Sequence, residues 1–246
     1  MAKIYTYGLI GKKLDHSFSP AYFNKKFEQE GLSSCRYELF PLDEIQDFLA
    51  LVKTWDVDGL NVTIPYKQAI IPFLDELSED AKAIGAVNCI AFKGNRLIGH
   101  NTDVVGFERS LTPLLRGQTS QSALVFGTGG ASNAITFMLN KLNIPYKLVS
   151  RNPKTNAIGY AKAEKQLRDY SLIINTTPVG TYPNIQDCPL NSLEGVGKNH
   201  LVYDLIYNPA ITSLLKQSSA LGARTKNGQE MLEIQAEESW KIWQTT

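Results

Sequence analysis

The chain is short of the residues that most function classes need. It has 246 residues but only three cysteines, Cys35, Cys89 and Cys188, and no Cys-x-x-Cys pair. A disulfide framework is excluded, and a reducing, cytoplasmic setting is expected. Three histidines, His16, His100 and His200, are too scattered to complete a zinc site, so no metal is expected. The net charge is +1, which gives no basic field for nucleic acid and no acidic tail. No apolar run is long enough to cross a bilayer. The start, Met1-Ala2-Lys3-Ile4-Tyr5-Thr6-Tyr7, reads as a strand and lacks the apolar core of a signal peptide. Internal repeats and low-complexity stretches are also missing. Any function therefore has to reside in a site.

What is present is ordinary globular material, 43% hydrophobic and 20% charged, enough for one large domain or two moderate ones. Strand-like and helix-like patterns alternate throughout, which argues for α/β with largely parallel sheets. Expected strands are 4–10, 36–40, 61–64, 122–126, 146–149, 171–175 and 201–205, with a hairpin over 89–92 and 96–98. Expected helices are 20–30, 42–55, 75–84, 104–115, 133–142, 211–221 and 229–243. Ser19 before Pro20 reads as an N-cap.

The heptapeptide Asn61-Val62-Thr63-Ile64-Pro65-Tyr66-Lys67 is the densest chemical stretch. Alternation puts Val62 and Ile64 on one face and Asn61 and Thr63 on the other. Pro65 ends the strand. An amide, a hydroxyl and then the Lys67 ammonium suit a polyhydroxylated anion. Taken alone, an edge strand with a solvated lysine is the better reading. Ser17 and Ser19 flank Phe18 before a helix, a place for turn chemistry or for a ligand. Asn88 follows a Gly85 break, and Asp103 opens a helix, where capping is the plain explanation. Gln235 lies beside an apolar stripe of the last helix, with solvent its default.

Gly127-Thr128-Gly129-Gly130-Ala131-Ser132 stands between a strand and a helix. That is a dinucleotide-binding turn with Ser132 at the third fingerprint position. Gly127, Thr128, Gly129, Gly130 and Ala131 are the expected pyrophosphate cradle, at a helix N-terminus. The next strand ends in Ser150-Arg151-Asn152, with no carboxylate for a ribose 2′-hydroxyl. Arg151 can fork onto a phosphate, which favours NADP over NAD; a surface arginine is the simpler alternative. Thr176, after another strand, and Gly228, before the last helix, complete the expected cofactor set.

Taken in order, these blocks resemble shikimate dehydrogenase over almost the whole chain. The matching stretches are His16 to Pro20, Asn61 to Lys67, Gly85 to Asn88, Asn101 to Asp103, Gly127 to Ser132, Asn175 to Gly180, Asp204 to Pro209, and Met231-Leu232 with Gln235. The resemblance implies two α/β domains, a substrate domain with a mostly parallel sheet and a Rossmann-like NADP-binding domain. It implies a split chain, 1–102 with 228–246 and then 103–227, the C-terminal helix returning to the first domain. It implies that Ser17, Ser19, Asn61, Thr63, Lys67, Asn88, Asp103, Tyr207 and Gln235 contact shikimate or 3-dehydroshikimate, with Lys67 and Asp103 as the catalytic pair. A monomer or homodimer is expected. The chain departs from the family pattern at Lys12-Lys13, Val104, Thr128 and Glu230, none of which removes a chemical group. A quinate/shikimate enzyme using NAD, a folate-linked dehydrogenase and a non-catalytic NADP sensor are the alternatives.

Overall fold

The computed structural model describes residues 3–15, 17–115, 121–154 and 156–245; His16 of the first matching block lies outside them. Contacts divide the chain into two compact units, Met1–Thr102 with Gln235–Thr246, and Asp103–Ile234.

The first unit holds strands β1 (Tyr5–Gly11), β2 (Cys35–Pro41), β3 (Gly59–Val62), β4 (Glu76–Leu77), β5 (Cys89–Lys93) and β6 (Arg96–His100), in the order β2-β1-β3-β5-β6-β4. Only β5 runs against the rest, so the sheet is mostly parallel. Its helices are α1 (Ser19–Gln29), α2 (Phe48–Thr54) and α3 (Glu79–Ile84). Side chains alternate across the sheet and give it two apolar faces. Ile10, Phe40, Leu60, Val62 and Ile90 fill one. Tyr7, Leu9, Tyr37, Cys89 and Ala91 fill the other, against Phe23 and Phe27.

The second unit begins with α4 (Asp103–Leu115) and continues as β7 (Ala123–Phe126), α5 (Gly130–Lys141), β8 (Tyr146–Val149), β9 (Ala157–Ile158), α6 (Tyr160–Glu164), β10 (Leu172–Asn175), β11 (Leu201–Asp204), α7 (Ser213–Ala220) and β12 (Arg224–Lys226). The sheet order is β12-β11-β10-β7-β8-β9, and every pairing is parallel. Counted from β7, that is the doubly wound order 3-2-1-4-5-6 of dinucleotide-binding folds. The three central strands β7, β10 and β11, short and mostly apolar, are buried along their whole length, as parallel strands under helices must be. The final helix, α8 (Gln229–Gln244), crosses the unit boundary at Gln235. Its Ala236, Trp240 and Trp243 join the second face of the first sheet, and a Cβ on Gly59 would lie 2.4 Å from the Trp243 ring. The returning segment was expected from 228; the contact boundary falls seven residues later, inside the helix.

Several local expectations fail, each for a traceable reason. Ser19 is not the cap of α1: Phe18 holds that position and no side chain caps it. The expected helix over 42–55 is a 3-10 turn at Ile45–Asp47 and then α2, because a capping box between Glu44 and Asp47 restarts the backbone. The expected helix over 75–84 shrinks to α3. Asp75 pairs with Leu97 through both its own amide and its carboxylate, which holds Glu76–Leu77 extended beside β6. Ser78 then supplies the cap, accepting from the Ala81 amide at 3.2 Å. β3 stops at Val62, so alternation does not reach Ile64, which is 66% exposed. Helix α5 starts at Gly130 rather than Asn133. Helix α7 starts at Ser213 rather than 211, with Thr212 as its cap. The short β9, α6 and β12 carried too little periodicity to be seen.

Candidate active site

In the first unit the expected ligand residues gather at one edge of the sheet. Register places Ile10 opposite Val62, Asn61 opposite Cys89, and Cys89 opposite His100. The C-terminal ends of β1, β3 and β6 and the start of β5 therefore coincide. Gly11 and the Ser17–Ser19 loop, Thr63, Asn88 and Thr102 follow from those ends. The Thr63 to Lys67 turn is pinned from both sides. Thr63 N donates to Ile10 O at 2.9 Å, Tyr66 N to Thr63 O at 2.9 Å, and Val87 N to Lys67 O at 2.7 Å. The Tyr66 phenol anchors on Leu42 O and Asp43 O, both at 2.8 Å. Lys67 thus has a fixed backbone beneath a half-buried side chain.

Asn61, Asn88 and Gln235 are buried and joined in one polar network. Asn61 lies on the sheet face where α1 and α8 pack, because it alternates with Leu60 and Val62. Its Nδ2 donates to Asn88 O at 3.1 Å and to Ser239 Oγ at 2.9 Å; its Oδ1 accepts from the Tyr37 phenol at 2.8 Å. Asn88 Nδ2 donates to Thr102 Oγ1 at 3.0 Å and to Gln235 Oε1 at 3.3 Å, and Asn88 Oδ1 accepts from Thr102 N at 2.7 Å. Gln235 is therefore 8% exposed instead of solvated, since buried amides retain partners. Ser19, on the buried stripe of α1 with Phe23 and Phe27, hydrogen-bonds the same Tyr37 phenol. Burial drives that phenol's pKa far up, so it stays neutral. Sequence reading missed Tyr37 and Ser239. The available signals were Ser239 one turn after Gln235 and Tyr37 on the inward phase of β2.

Cavity size does not identify this site. A cavity of about 910 Å3 opens at the opposite edge of the same sheet, beside Tyr5, Cys35 and Val57. At that cavity Asp58 accepts from Lys3 at 2.7 Å and from Thr6 N at 2.8 Å.

In the second unit Asp103 is buried at the first turn of α4. That helix is held to β11 by Ser110 and Tyr203, whose hydroxyls lie 2.7 Å apart, and by the edge of Phe107 on Tyr203. The glycine turn follows β7. Gly127 has φ +112°, and a Cβ there would lie 2.5 Å from Thr176 Oγ1, so the position demands glycine. Gly129 occupies the cap of α5 with no side chain in the way, leaving the first amides of a 12-residue helix facing outward. Ser132 has a use of its own: buried, it donates to Gly127 O at 2.9 Å and ties the turn to the helix. Ser150, Arg151 and Asn152 follow β8, with Arg151 exposed. Thr176 follows β10, fixed to Phe126 O at 2.7 Å. Gly228 is buried, and a Cβ there would lie 2.0 Å from Leu205 O. These residues stand at C-terminal strand ends of a doubly wound sheet, where nucleotides bind. The turn, the bare helix start and the arginine fit a dinucleotide with a 2′-phosphate. Among the described residues no cluster of three or more His, Cys, Asp or Glu could hold a metal, and no helix is long and apolar enough to cross a membrane.

Tyr207 follows β11 beside a buried carboxylate, Asp204. Asp204 accepts from Asn175 Nδ2 at 3.0 Å, Ile206 N at 3.1 Å and Thr212 Oγ1 at 2.7 Å. Burial outweighs these bonds and pushes its pKa up to about 6. The folded state therefore keeps a proton that the unfolded chain releases near pH 4. The stabilisation is full below that point and is lost as pH rises through about 6. Asp204→Asn should gain roughly 3 kcal/mol on the wild type between pH 4 and 7, at about 1.4 kcal/mol per unit. Urea unfolding across that range reads it; a difference that does not vary with pH would show Asp204 ionised throughout.

Known proteins resemble the chain over nearly its whole length. Residues 9–90 match the family model for the shikimate dehydrogenase substrate binding domain. The chain is 37% identical to a shikimate dehydrogenase (NADP(+)) of Methanococcus maripaludis, over 96% of this chain and 90% of that one. It is 35% identical to the crystal structure of shikimate dehydrogenase 1 from Peptoclostridium difficile, with TM-score 0.87, covering 99% of this chain and 92% of that one. A shikimate 5-dehydrogenase from Thermus thermophilus, solved with NADP(H) and shikimate, is 30% identical with TM-score 0.84, over 99% and 94% of the two chains. With those identities spanning both units, the chain belongs to the shikimate dehydrogenase family.

Proposed function

We propose that Lys67 and Asp103 carry the chemistry of the family's reaction, the reversible, NADPH-dependent reduction of 3-dehydroshikimate to shikimate in aromatic amino acid biosynthesis. The observation that carries the reading is the convergence, at one sheet edge, of Asn61, Asn88, Thr102 and Gln235 with the Lys67 turn. The nicotinamide supplies the hydride that reduces the ring ketone. Negative charge then develops on the carbonyl oxygen. Lys67 stabilises that charge and gives the oxygen its proton; in the oxidation it takes the proton back. Asp103 accepts hydrogen bonds from ring hydroxyls and so orients the ring. Ser17 and Ser19 offer hydroxyls to the substrate's carboxylate, with no arginine needed, and Thr63 and Tyr207 are further substrate contacts. Asn61, Asn88 and Gln235 meet the remaining ring hydroxyls.

The cofactor residues are Gly127, Thr128, Gly129, Gly130 and Ala131 for the pyrophosphate, and Ser150, Arg151 and Asn152 for the adenosine end. Thr176 and Gly228 frame the nicotinamide. The partners are small molecules, and the chain acts in the cytoplasm as a monomer or homodimer. A panel of shikimate and quinate against NADP and NAD, read by nicotinamide absorbance, tests the reading. Shikimate with NADP should lead by more than tenfold in kcat/KM. Equal use of quinate and NAD would assign the chain to the quinate branch, and no turnover of any pair would leave a sensor.

A further inference from the structure

Ser239 lies on α8, is fully buried, and belongs to no expected ligand set. Its hydroxyl sits where three parts of the first unit meet. Ser239 Oγ donates to Gln235 O, one turn back on α8, at 3.0 Å. It accepts from Asn61 Nδ2 of β3 at 2.9 Å. It lies 3.2 Å from Thr102 Oγ1, after β6. A hydroxyl has one proton and two lone pairs. With the proton on Gln235 O, Ser239 Oγ can only accept from Thr102 Oγ1, whose proton also has Asn88 Oδ1 at 3.3 Å and Gln235 Oε1 at 3.4 Å in reach.

The directions of the neighbouring amide bonds follow from their own partners. The carbonyl of Asn88 accepts only, so the amide face of Asn61 turned to it must be Nδ2. Both Asn61 N–H groups are thereby used, on Asn88 O and Ser239 Oγ, and Asn61 Oδ1 is left to the Tyr37 phenol. Asn61 can meet a ligand only as an acceptor, through the second lone pair of Oδ1. Thr102 Oγ1 accepts from Asn88 Nδ2 and shares its own proton among Ser239 Oγ, Asn88 Oδ1 and Gln235 Oε1. The other Asn88 N–H goes to Gln235 Oε1, which turns the Gln235 amide nitrogen away from Asn88.

We propose that Ser239 is a positioning residue of the substrate site, tying Asn61 and Thr102 to the turn of α8 that carries Gln235, so that these side chains meet the ring hydroxyls in one fixed arrangement. The inference rests on the site reading above. It assigns Ser239 no contact with substrate and no part in cofactor binding. Without the hydroxyl, one Asn61 N–H loses its partner. The Asn61 side chain then shifts, and the polar pattern that selects the substrate blurs.

The test is the kinetics of Ser239→Ala beside Ser239→Cys, which keeps the volume with a much weaker hydrogen-bonding group. The expected result is a KM for shikimate raised about tenfold in Ser239→Ala, a smaller rise in Ser239→Cys, and a KM for NADP within twofold of wild type. A KM for shikimate within twofold of wild type in whichever variant folds overturns the proposal. So does an equal rise in both KM values, which marks general loosening. Asn61→Ala separates this failure from failure of the site reading. If Asn61→Ala raises the KM for shikimate and neither Ser239 variant does, only the role of Ser239 falls. If Asn61→Ala also leaves it unchanged, the site reading falls with it.

Discussion

Replacing Lys67 by alanine is expected to lower kcat by about 10²- to 10⁴-fold, the range for losing a positioned general acid, while KM for shikimate stays within a few-fold. The split follows from what the residue is assigned to do. Its charge matters most when the carbonyl oxygen becomes negative, which happens in the transition state and not in the bound ketone. Its turn is fixed by bonds that do not involve the side chain: Val87 N on Lys67 O, and Tyr66 on the 42–43 carbonyls. The substitution should therefore remove the ammonium without moving Thr63 or Asn61. Steady-state kinetics in both directions measure it. A variant with nearly full kcat takes Lys67 out of the mechanism. Lys67→Arg adds a second reading, because it keeps a charge but is a far poorer proton donor; substantial recovery would mean that charge alone is needed.

The other large effect is expected at Arg151. It follows β8 on an exposed stretch with no carboxylate beside it in Ser150-Arg151-Asn152. A hydrogen bond between charged partners contributes about 1.5–3 kcal/mol, so Arg151→Ala should lower kcat/KM with NADP by roughly 10- to 150-fold. With NAD, which has no 2′-phosphate, kcat/KM should change by less than twofold. Because the arginine is exposed, the NADP effect should shrink as salt is raised. Equal losses with both cofactors would place Arg151 outside the phosphate site.

Much of this was legible in the sequence, and the limits of legibility have physical causes. The glycine turn between β7 and α5 could be read because tight backbone geometry leaves few residue choices at Gly127. The parallel strands of the second unit could be read because burial on both faces leaves an unbroken apolar run, as in Leu124-Val125-Phe126. The same logic failed at Ile64, where alternation was carried two residues past the last ladder bond. Gln235 was misjudged because helical spacing says which residues share a face but not what the facing strand brings. Asn88 and Thr102, distant in sequence, bring the polar partners that make a buried amide tolerable. Ser239 was invisible for a related reason: a small hydroxyl on an amphipathic helix has no pattern until its three partners are placed around it.

The first unit is assembled from the two ends of the chain, and Trp240 and Trp243 near the last residue cover Tyr7 near the first. During synthesis, the whole second unit leaves the ribosome before the first can close. At 5–20 residues per second, residues 3–102 wait roughly seven to thirty seconds for their final helix. Throughout that wait Tyr7 and Phe27 lack their tryptophan lid, so newborn chains are most exposed to chaperones and proteases at their N-terminal portion.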